Sequence, residues 1–396
     1  MSRRVDQIKP SATLAISGRA AQLKREGRDI ATLSVGEPDF PVFPHVEEAI
    51  REALRKGYTK YTPSNGLADL REAISDWTHA EVGIRFPIGQ ILATAGAKQA
   101  IYNACQALLD DGDEAVIPNP YWVSYPEIVK LAGGVVRELD CRPEDAWSPR
   151  PEALEKQLNE KTRVLLIGSP SNPTGAVWSA EVLRGIGRVL EKFPKVTVIS
   201  DDIYDKMTYE GGRAPNFLAL SPQLAGRTVL VNGCSKAYAM TGLRLGWACG
   251  PAPVIAAMNK VQDASTSNPS SLTQYAAMAA LRGPQGLLEE MKQAFQRRRD
   301  LAVELLSGIP GVRCHKSQGA YYIFADVRPI LEKKYKGAPV GTSQRFAEIL
   351  LDDFSVAVVQ GSAFGREGYL RLSFATSDAE IRRAVDRLAK GVAALA

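Results

Sequence analysis

The sequence predicts an α/β protein with a large domain, built on a mostly parallel sheet flanked by helices, and a smaller α+β domain. Between about residues 90 and 250, short apolar β runs alternate with helical stretches, which is typical of parallel strands covered by helices on both faces. After a long helical stretch at about 285–307, strand-like runs at 320–325 and 369–374 accompany further helices. We expect residues 1–44 to form an N-terminal segment that packs with the small domain, 45–290 the large domain, and 291–396 the small C-terminal domain.

Local periodicity defines the individual elements. Apolar residues recur at helical spacing over 46–54, and Gly57 is expected to end that helix. Further helices are expected at 151–159 and 179–193. The buried strands of the large sheet are expected at 114–117, 163–167, 196–199 and 228–231. Because ligands bind at the carboxyl ends of such strands, functional residues are expected directly after them.

Bulk composition excludes several classes of protein. The chain has 396 residues, 45% of them hydrophobic, and a net charge of +5 without the clustered basic footprint of a nucleic-acid-binding protein. The densest basic run, Arg297–Arg299, is interpreted as a solvent-exposed helix face. No apolar run approaches the ~20 residues that span a bilayer. We therefore expect neither a nucleic-acid nor a membrane partner.

Cysteine and histidine usage predicts neither disulfides nor a metal site. The five cysteines form no CxxC pair, and the three histidines lie too far apart for metal-ligand spacing. The first residues lead into no apolar core like that of a signal peptide. We therefore expect a protein of the reducing cytoplasm.

The clearest chemical signal follows the predicted strand at 228–231. Lys236 is preceded directly by Ser235 and followed in the same segment by Arg244. A lysine among small residues at a strand end loses hydration, so its amine can be neutral and nucleophilic. A hydroxyl and a guanidinium are the groups that an anion beside that amine would need. The pattern indicates a lysine that forms a Schiff base with a phosphorylated aldehyde, pyridoxal 5'-phosphate.

Two more signals follow neighbouring strands. Residues 169–175 (SPSNPTG) come after the strand at 163–167, and residues 200–204 (SDDIY) after the strand at 196–199. Alone, the first is typical of a turn, and Asp201 in the second is typical of a cap. Each signal is weak alone. The occurrence of all three in this order, each directly after a predicted strand and with the lysine segment third, is a specific pattern.

Together these segments resemble the fold type I pyridoxal-phosphate aminotransferases of class I/II. The resemblance extends over the whole chain and is strongest in the bacterial branch that contains aspartate and prephenate aminotransferases. It includes the segments 9–13 (KPSAT), 36–40 (GEPDF), 60–61 (KY), 96–99 (GAKQ), 119–125 (NPYWVSY) and 371–377 (RLSFATS).

The resemblance implies roles around the cofactor ring. Lys236 would hold the cofactor and then move the proton from the substrate Cα, as base and acid. Asp201 would keep the pyridine nitrogen protonated. Tyr204 and Asn172 resemble the pair that hydrogen-bonds the ring's 3-oxygen, and Trp122 would stack on the ring.

It also implies a phosphate site and a homodimer. The phosphate would lie at the N-terminus of the helix that opens at Ala97 and Lys98, where the helix dipole favours an anion. Ser235 and Arg244 would complete this site. Tyr61 resembles the tyrosine that reaches the same phosphate from the partner subunit.

Substrate contacts follow from the same resemblance. Arg371 resembles the arginine that pairs bidentately with the substrate α-carboxylate, and Gly36 would allow close backbone approach beside it. Trp122 and Asn172 are expected to contact the substrate as well as the cofactor.

The distal end of the substrate is expected to meet a lysine. The stretch 263–270, where the best-known aspartate aminotransferases supply an arginine, contains none. In the branch that this chain resembles, the lysine corresponding to Lys98 supplies the distal charge, and Lys9 is a second candidate. The prediction is transamination of aspartate or glutamate with 2-oxoglutarate or oxaloacetate, and prephenate as an additional acceptor.

Other readings stay open at this point. The same cofactor apparatus serves aminotransferases for neutral or aromatic amino acids, such as alanine or kynurenine, and carbon–sulfur lyases or synthases that use activated methionine. Aminotransferase-like transcription regulators carry an extra N-terminal DNA-binding module. About forty residues before the end of the 36–40 motif are too few for such a module.

Overall fold

The computed structural model describes residues 2–210 and 212–396 of the chain. The α-helices are α1 (Arg3–Asp6), α2 (Ala12–Arg25), α3 (Pro44–Arg55), α4 (Ala68–Val82), α5 (Ala97–Leu108), α6 (Ser124–Leu131), α7 (Pro151–Gln157), α8 (Ala180–Glu191), α9 (Phe217–Leu220), α10 (Ala252–Ser265), α11 (Ser271–Arg282), α12 (Gly286–Ser307), α13 (Arg328–Leu331), α14 (Ser343–Asp352) and α15 (Asp378–Ala393). The strands are β1 (Ala31–Thr32), β2 (Ile91–Thr94), β3 (Glu114–Asn119), β4 (Val135–Asp140), β5 (Thr162–Gly168), β6 (Thr197–Asp201), β7 (Thr228–Gly233), β8 (Gly246–Cys249), β9 (Tyr322–Asp326), β10 (Lys334–Tyr335), β11 (Ala338–Pro339), β12 (Val356–Ala357), β13 (Val359–Gln360) and β14 (Tyr369–Ser373).

A seven-stranded sheet with the order β2-β8-β7-β6-β5-β3-β4 forms the larger part of the molecule. Strands β3 to β7 run parallel to one another, and β8 is antiparallel to both of its neighbours. The predicted α/β class and its mostly parallel sheet are confirmed. The four predicted strands are β3, β5, β6 and β7. Strand β4 escaped prediction because this edge strand is largely exposed and lacks a continuous apolar run.

Helices cover both faces of this sheet. On one face, α5 and α10 pack Ile101 and Met258 against the sheet; on the other, α8 packs Leu183 and Ile186. The strands between them are apolar on both sides because both faces are buried. Polar side chains are therefore left to the strand ends, where the cavity described below lies.

The remainder of the chain forms smaller sheets. Strands β13, β14 and β9 form an antiparallel sheet, and β1 pairs in parallel with β12. The β1–β12 pair joins the N-terminal segment to the C-terminal part of the chain. The three-segment domain division stays a prediction.

The basic run on α12 is partly buried, so the prediction of an exposed face was wrong for Arg299. This side chain is fully buried. It donates to the Ser317 carbonyl at 2.8 Å, pairs with Glu210 at 3.0 Å, and lies over the Tyr209 ring. Each donor that burial removes from water has a protein partner, which makes a buried guanidinium tolerable. Periodicity could not reveal these partners because they lie on distant loops.

None of the helices in the described part of the chain is both long and apolar enough to cross a membrane. Within residues 2–210 and 212–396, no group of three or more His, Cys, Asp or Glu side chains is arranged to hold a metal ion.

Candidate active site

A cavity of about 300 Å³ lies at the carboxyl ends of the parallel strands. Its walls come from the segments after β3, β5, β6 and β7, the N-terminus of α5, and side chains near β9 and β14. The sequence-predicted site residues that line it are Gly36, Ala97, Lys98, Trp122, Asn172, Asp201, Tyr204, Ser235, Lys236, Arg244 and Arg371. Lys9 and Tyr61 are not part of the lining.

Lys236 lies just after β7. Its Nζ donates to the Gly36 carbonyl at 2.7 Å. The pKa of Lys236 is lowered to about 8, mainly by loss of hydration; Arg371 and Arg244 act in the same direction, whereas Glu37 and Asp201 oppose the shift. About a tenth of the amine is therefore neutral at pH 7 and half of it at pH 8, and the neutral form is the one that attacks a carbonyl or accepts a proton.

Asp201 ends β6 and is buried. It accepts a hydrogen bond from the Tyr125 hydroxyl at 2.7 Å and another from the Ile203 amide at 3.2 Å. Burial raises the pKa of Asp201 to about 6, although both hydrogen bonds and Lys236 act in the opposite direction. A buried carboxylate that lacks a paired cation favours a protonated base beside it. Tyr125 had no predicted role, although it belongs to the 119–125 motif.

Tyr204 and Asn172 follow β6 and β5. The Tyr204 hydroxyl lies 2.9 Å from that of Tyr322. The Oδ1 atom of Asn172 accepts from Arg371 at 3.2 Å. Tyr322 was predicted only as part of a strand. A tyrosine pair opening an apolar strand, at 321–322, was the one available signal.

Arg371, on β14, is fully buried. It donates to the Ser34 carbonyl at 2.7 Å, and its guanidinium lies 4.5 Å from the ring centre of Tyr322 and 4.9 Å from that of Phe364. Its Nε atom is buried and, within the described residues, has no hydrogen-bond partner. Burial lowers the pKa of Arg371. A buried cation with an unused donor is the group that an anion entering the cavity would satisfy.

Besides Arg371, a second positively charged part of the cavity wall lies at the N-terminus of α5. The first N–H groups of a helix lack intrahelical partners and favour an anion. Gly96, with φ +83°, precedes them, and a Cβ there would lie 2.5 Å from an Arg244 nitrogen. Arg244 is exposed, and it donates to the Thr241 carbonyl at 2.8 Å. Gly96 thus permits the close approach of Arg244 to the helix end.

Lys98 and Trp122 contact each other in the cavity wall. The Lys98 ammonium lies 4.9 Å from the centre of the Trp122 ring. Loss of hydration, and then the nearby Arg244, lower the pKa of Lys98. The contact holds a positive charge beside the aromatic face.

The last two predicted residues lie outside the cavity. The backbone N–H of Lys9 donates to Glu127 at 2.8 Å, and only the residues after it, Ser11, Thr13 and Leu14, reach the cavity lining. Tyr61 is 91% exposed. Neither side chain contributes to the site of this single chain.

The residues present fit pyridoxal phosphate. Gly96 and the N-terminus of α5 suit its phosphate, the buried Asp201 suits its ring nitrogen, and the lowered pKa of the Lys236 amine suits reaction with its aldehyde.

Comparison with known proteins agrees with this arrangement. The family model described as aminotransferase class I and II matches residues 28–388. The chain belongs to this family. It is therefore an aminotransferase, an enzyme that moves amino groups between amino acids and 2-oxo acids, and its family is generally pyridoxal-phosphate-dependent.

The similarity to known proteins extends over almost the whole length of this aminotransferase. It is 44% identical to the aspartate/prephenate aminotransferase of Nitrosomonas europaea over 98% of both chains, and 43% identical to the aspartate aminotransferase of Geobacillus stearothermophilus over 98% of both. The aspartate aminotransferase structure from Rhizobium meliloti matches with a TM-score of 0.96 and 42% identity, covering 100% of this chain and 99% of that one. The Thermus thermophilus aspartate aminotransferase with maleate matches with a TM-score of 0.93 and 41% identity, over 99% of both.

Proposed function

We propose that this aminotransferase uses pyridoxal phosphate to transfer the amino group of aspartate or glutamate to 2-oxo acids, with 2-oxoglutarate or oxaloacetate as acceptors. The observation that carries the proposal is one cavity in which a lysine amine with a lowered pKa lies within electrostatic reach of two arginines, Arg244 and Arg371. Two anionic groups, a phosphate and an α-carboxylate, would suit these arginines.

The reacting centre would be served by Lys236 and Asp201. When bound, pyridoxal phosphate supplies the electron sink that stabilises negative charge at the substrate Cα. The neutral amine of Lys236 would take the proton from the substrate Cα and deliver it to C4′, the carbon of the cofactor's aldehyde. The carboxylate of Asp201, fixed by Tyr125 and the Ile203 amide, would keep the ring nitrogen charged.

The α-carboxylate would bind Arg371. The Arg371 guanidinium is held in place by hydrogen bonds to the Ser34 carbonyl and Asn172, and two aromatic rings enclose it. A rigid guanidinium sets the substrate's register, so the Cα proton would face Lys236. Gly36, whose carbonyl accepts from Lys236, would line the same end.

Lys98 would bind the distal carboxylate. Its ammonium lines the cavity and lies over Trp122. The similar Thermus thermophilus enzyme has been solved with maleate, a dicarboxylate. Both facts favour dicarboxylic substrates over alanine or aromatic amino acids.

Prephenate is the second candidate acceptor. Leu14, which is 71% exposed, lines the cavity and offers apolar surface to a ring. The similar Nitrosomonas europaea protein is named aspartate/prephenate aminotransferase. Lys9, held near the cavity by the bond to Glu127, would be available to a distal carboxylate.

We also propose a cytoplasmic homodimer. Tyr61 is almost entirely exposed, which is unusual for a tyrosine, and Arg244 is open to solvent at the phosphate end. A partner subunit's tyrosine at this position would complete the phosphate site. The five cysteines are free, which suits a reducing compartment.

The distal-charge proposal is tested with Lys98→Met, which removes the charge but keeps an unbranched side chain over Trp122. We expect kcat/KM for aspartate and glutamate to fall roughly 10- to 100-fold, because one charge-assisted contact is lost. Alanine, which lacks the distal carboxylate, serves as the matched control and should change little. The measurement follows the absorbance of the bound cofactor as each amino acid alone converts it to pyridoxamine phosphate. Equal losses for alanine and aspartate would contradict the assignment.

The central role of Lys236 is tested with Lys236→Ala. Turnover should disappear, because the amine that would move the Cα proton is removed, while circular dichroism should remain unchanged. Exposed Lys56→Ala is a suitable control and should retain full activity. Retained turnover in the Lys236 variant would refute the proposal.

A further inference from the structure

Tyr322 connects two residues to which separate functions are proposed. It opens β9 and is almost completely buried. Its hydroxyl lies 2.9 Å from the Tyr204 hydroxyl, and its ring face contacts the guanidinium of Arg371 at 4.5 Å. It also lines the cavity. One side chain therefore contacts both the tyrosine beside the proposed cofactor ring and the arginine beside the proposed α-carboxylate.

The hydrogen-bond direction between the two tyrosines follows from counting hydrogens. Each phenolic hydroxyl has a single hydrogen to donate. If Tyr204 donates its hydrogen to a ring oxygen in the cavity, the bond between the tyrosines must use the hydrogen of Tyr322. Tyr322 then donates to Tyr204, and each bond of such a chain polarises and strengthens the next.

We propose that Tyr322 is a positioning residue, which orients the Tyr204 hydroxyl and strengthens the hydrogen bond that Tyr204 gives to the ring oxygen of the cofactor. This inference rests on the proposed use of pyridoxal phosphate and on the role proposed for Tyr204. It assigns to β9 a part in tuning the cofactor.

Two features of the surroundings support this role. A Cβ on Gly36 would lie 2.6 Å from the Tyr322 hydroxyl, so only glycine leaves room for that hydroxyl. Burial raises the pKa of Tyr322, whereas Arg371 and the hydrogen bonds with Tyr204 and Tyr321 lower it. A cation at the ring stabilises the phenolate and thereby makes the phenol a better hydrogen-bond donor. The phenol is thus kept protonated and is favoured as the donor to Tyr204.

The test compares Tyr322→Phe with Tyr209→Phe in cofactor-loaded enzyme. Tyr209 is also buried, and its hydroxyl donates to the carbonyl of Ala320, two residues before Tyr322 in the chain. Tyr209→Phe is therefore a matched control, because it also removes one buried hydroxyl. The measurement is the pH titration of the cofactor's visible absorbance. A hydrogen bond to the ring oxygen stabilises the deprotonated form, so weakening it should raise the titration midpoint.

We expect Tyr322→Phe to raise the midpoint by roughly 0.3 to 0.6 pH units, and Tyr209→Phe to leave it within about 0.1. Tyr204→Phe should raise it more, and adding Tyr322→Phe to that variant should change it little, since the effect passes through Tyr204. An unchanged midpoint in Tyr322→Phe, equal shifts in both tyrosine variants, or additive shifts in the double variant would overturn the inference alone.

The proposed function has its own outcome. If the unmodified protein binds no pyridoxal phosphate and shows no titrating visible band, the proposed cofactor use is wrong, and the inference is overturned with it. A normal titration in the unmodified protein, together with no effect of Tyr322→Phe, would leave the proposed function standing.

Discussion

Two arginines border the same cavity in opposite environments. Arg371 is fully buried, enclosed by the rings of Tyr322 and Phe364, and has an unused Nε donor among the described residues. Arg244 is exposed and bonds backbone carbonyls in a loop where its own φ is +56°. Two side chains of the same type thus line one cavity under very different hydration.

This difference would allow one cavity to bind both a permanently held cofactor phosphate and the α-carboxylate of a substrate that enters and leaves. Removing Arg371 from water costs free energy that an entering carboxylate would offset, so that pairing would be strong and geometrically selective. Arg244 is exposed and would act together with the N-terminus of α5, so each contribution to anion binding there would be smaller. In the proposed dimer, the exposed end would leave surface for the second subunit.

Of the variants that separate the two arginines, Arg371→Lys should have the largest effect. A lysine cannot form the planar bidentate pair, so kcat/KM should fall roughly 10²- to 10⁴-fold. The loss should be similar for aspartate and alanine, because both have an α-carboxylate. Half-reaction kinetics with both amino acids provide the measurement. A loss confined to aspartate would place Arg371 at the distal carboxylate and contradict its assignment to the α-carboxylate.

A smaller effect is expected from Arg244→Ala. Since other donors at the helix N-terminus remain, the dissociation constant for pyridoxal phosphate should rise about 10- to 100-fold. At saturating cofactor, KM for aspartate should change little. Equilibrium dialysis and steady-state kinetics separate the two quantities. If KM for aspartate rises while the affinity for pyridoxal phosphate is unchanged, Arg244 contacts the substrate and its assignment to the phosphate is wrong.

The smallest effect is on the protonation of Lys236 in cofactor-free enzyme. Its reaction with an amine-directed reagent should be half-maximal near pH 8, where the pKa lies. Removing a neighbouring positive charge favours the ammonium and raises that pKa. Arg371→Met should therefore shift the midpoint upward by a few tenths of a unit, and Arg244→Met by less, because Arg371 is the stronger of the two influences. Mass spectrometry of the labelled peptide measures both shifts. A larger shift in the Arg244 variant would reverse their order.

The stability of cofactor-free enzyme has a related pH dependence. The folded-state pKa of Lys236 lies below the unfolded value of 10.5. The unfolded chain therefore binds more protons between about pH 8 and 10.5, so this lysine makes the fold more stable as pH rises through that window.

The α/β class could be predicted from the sequence alone, and eleven of the thirteen predicted site residues line the cavity. Lys236, Asp201 and Asn172 follow buried apolar strands, and parallel strands bring their carboxyl ends to one edge. Their short motifs are local in sequence, so they could be recognised without knowing which strands are neighbours.

The contacts that support these residues form only when distant parts of the chain come together in the fold. The bonds from Tyr125 to Asp201 and between Tyr204 and Tyr322 join residues 76 and 118 positions apart. The burial of Arg299 depends on partners from separate loops. Hydrophobic periodicity reports which face of an element is buried, but it carries no information about which distant polar group meets that face. Those contacts set the protonation and orientation of the site.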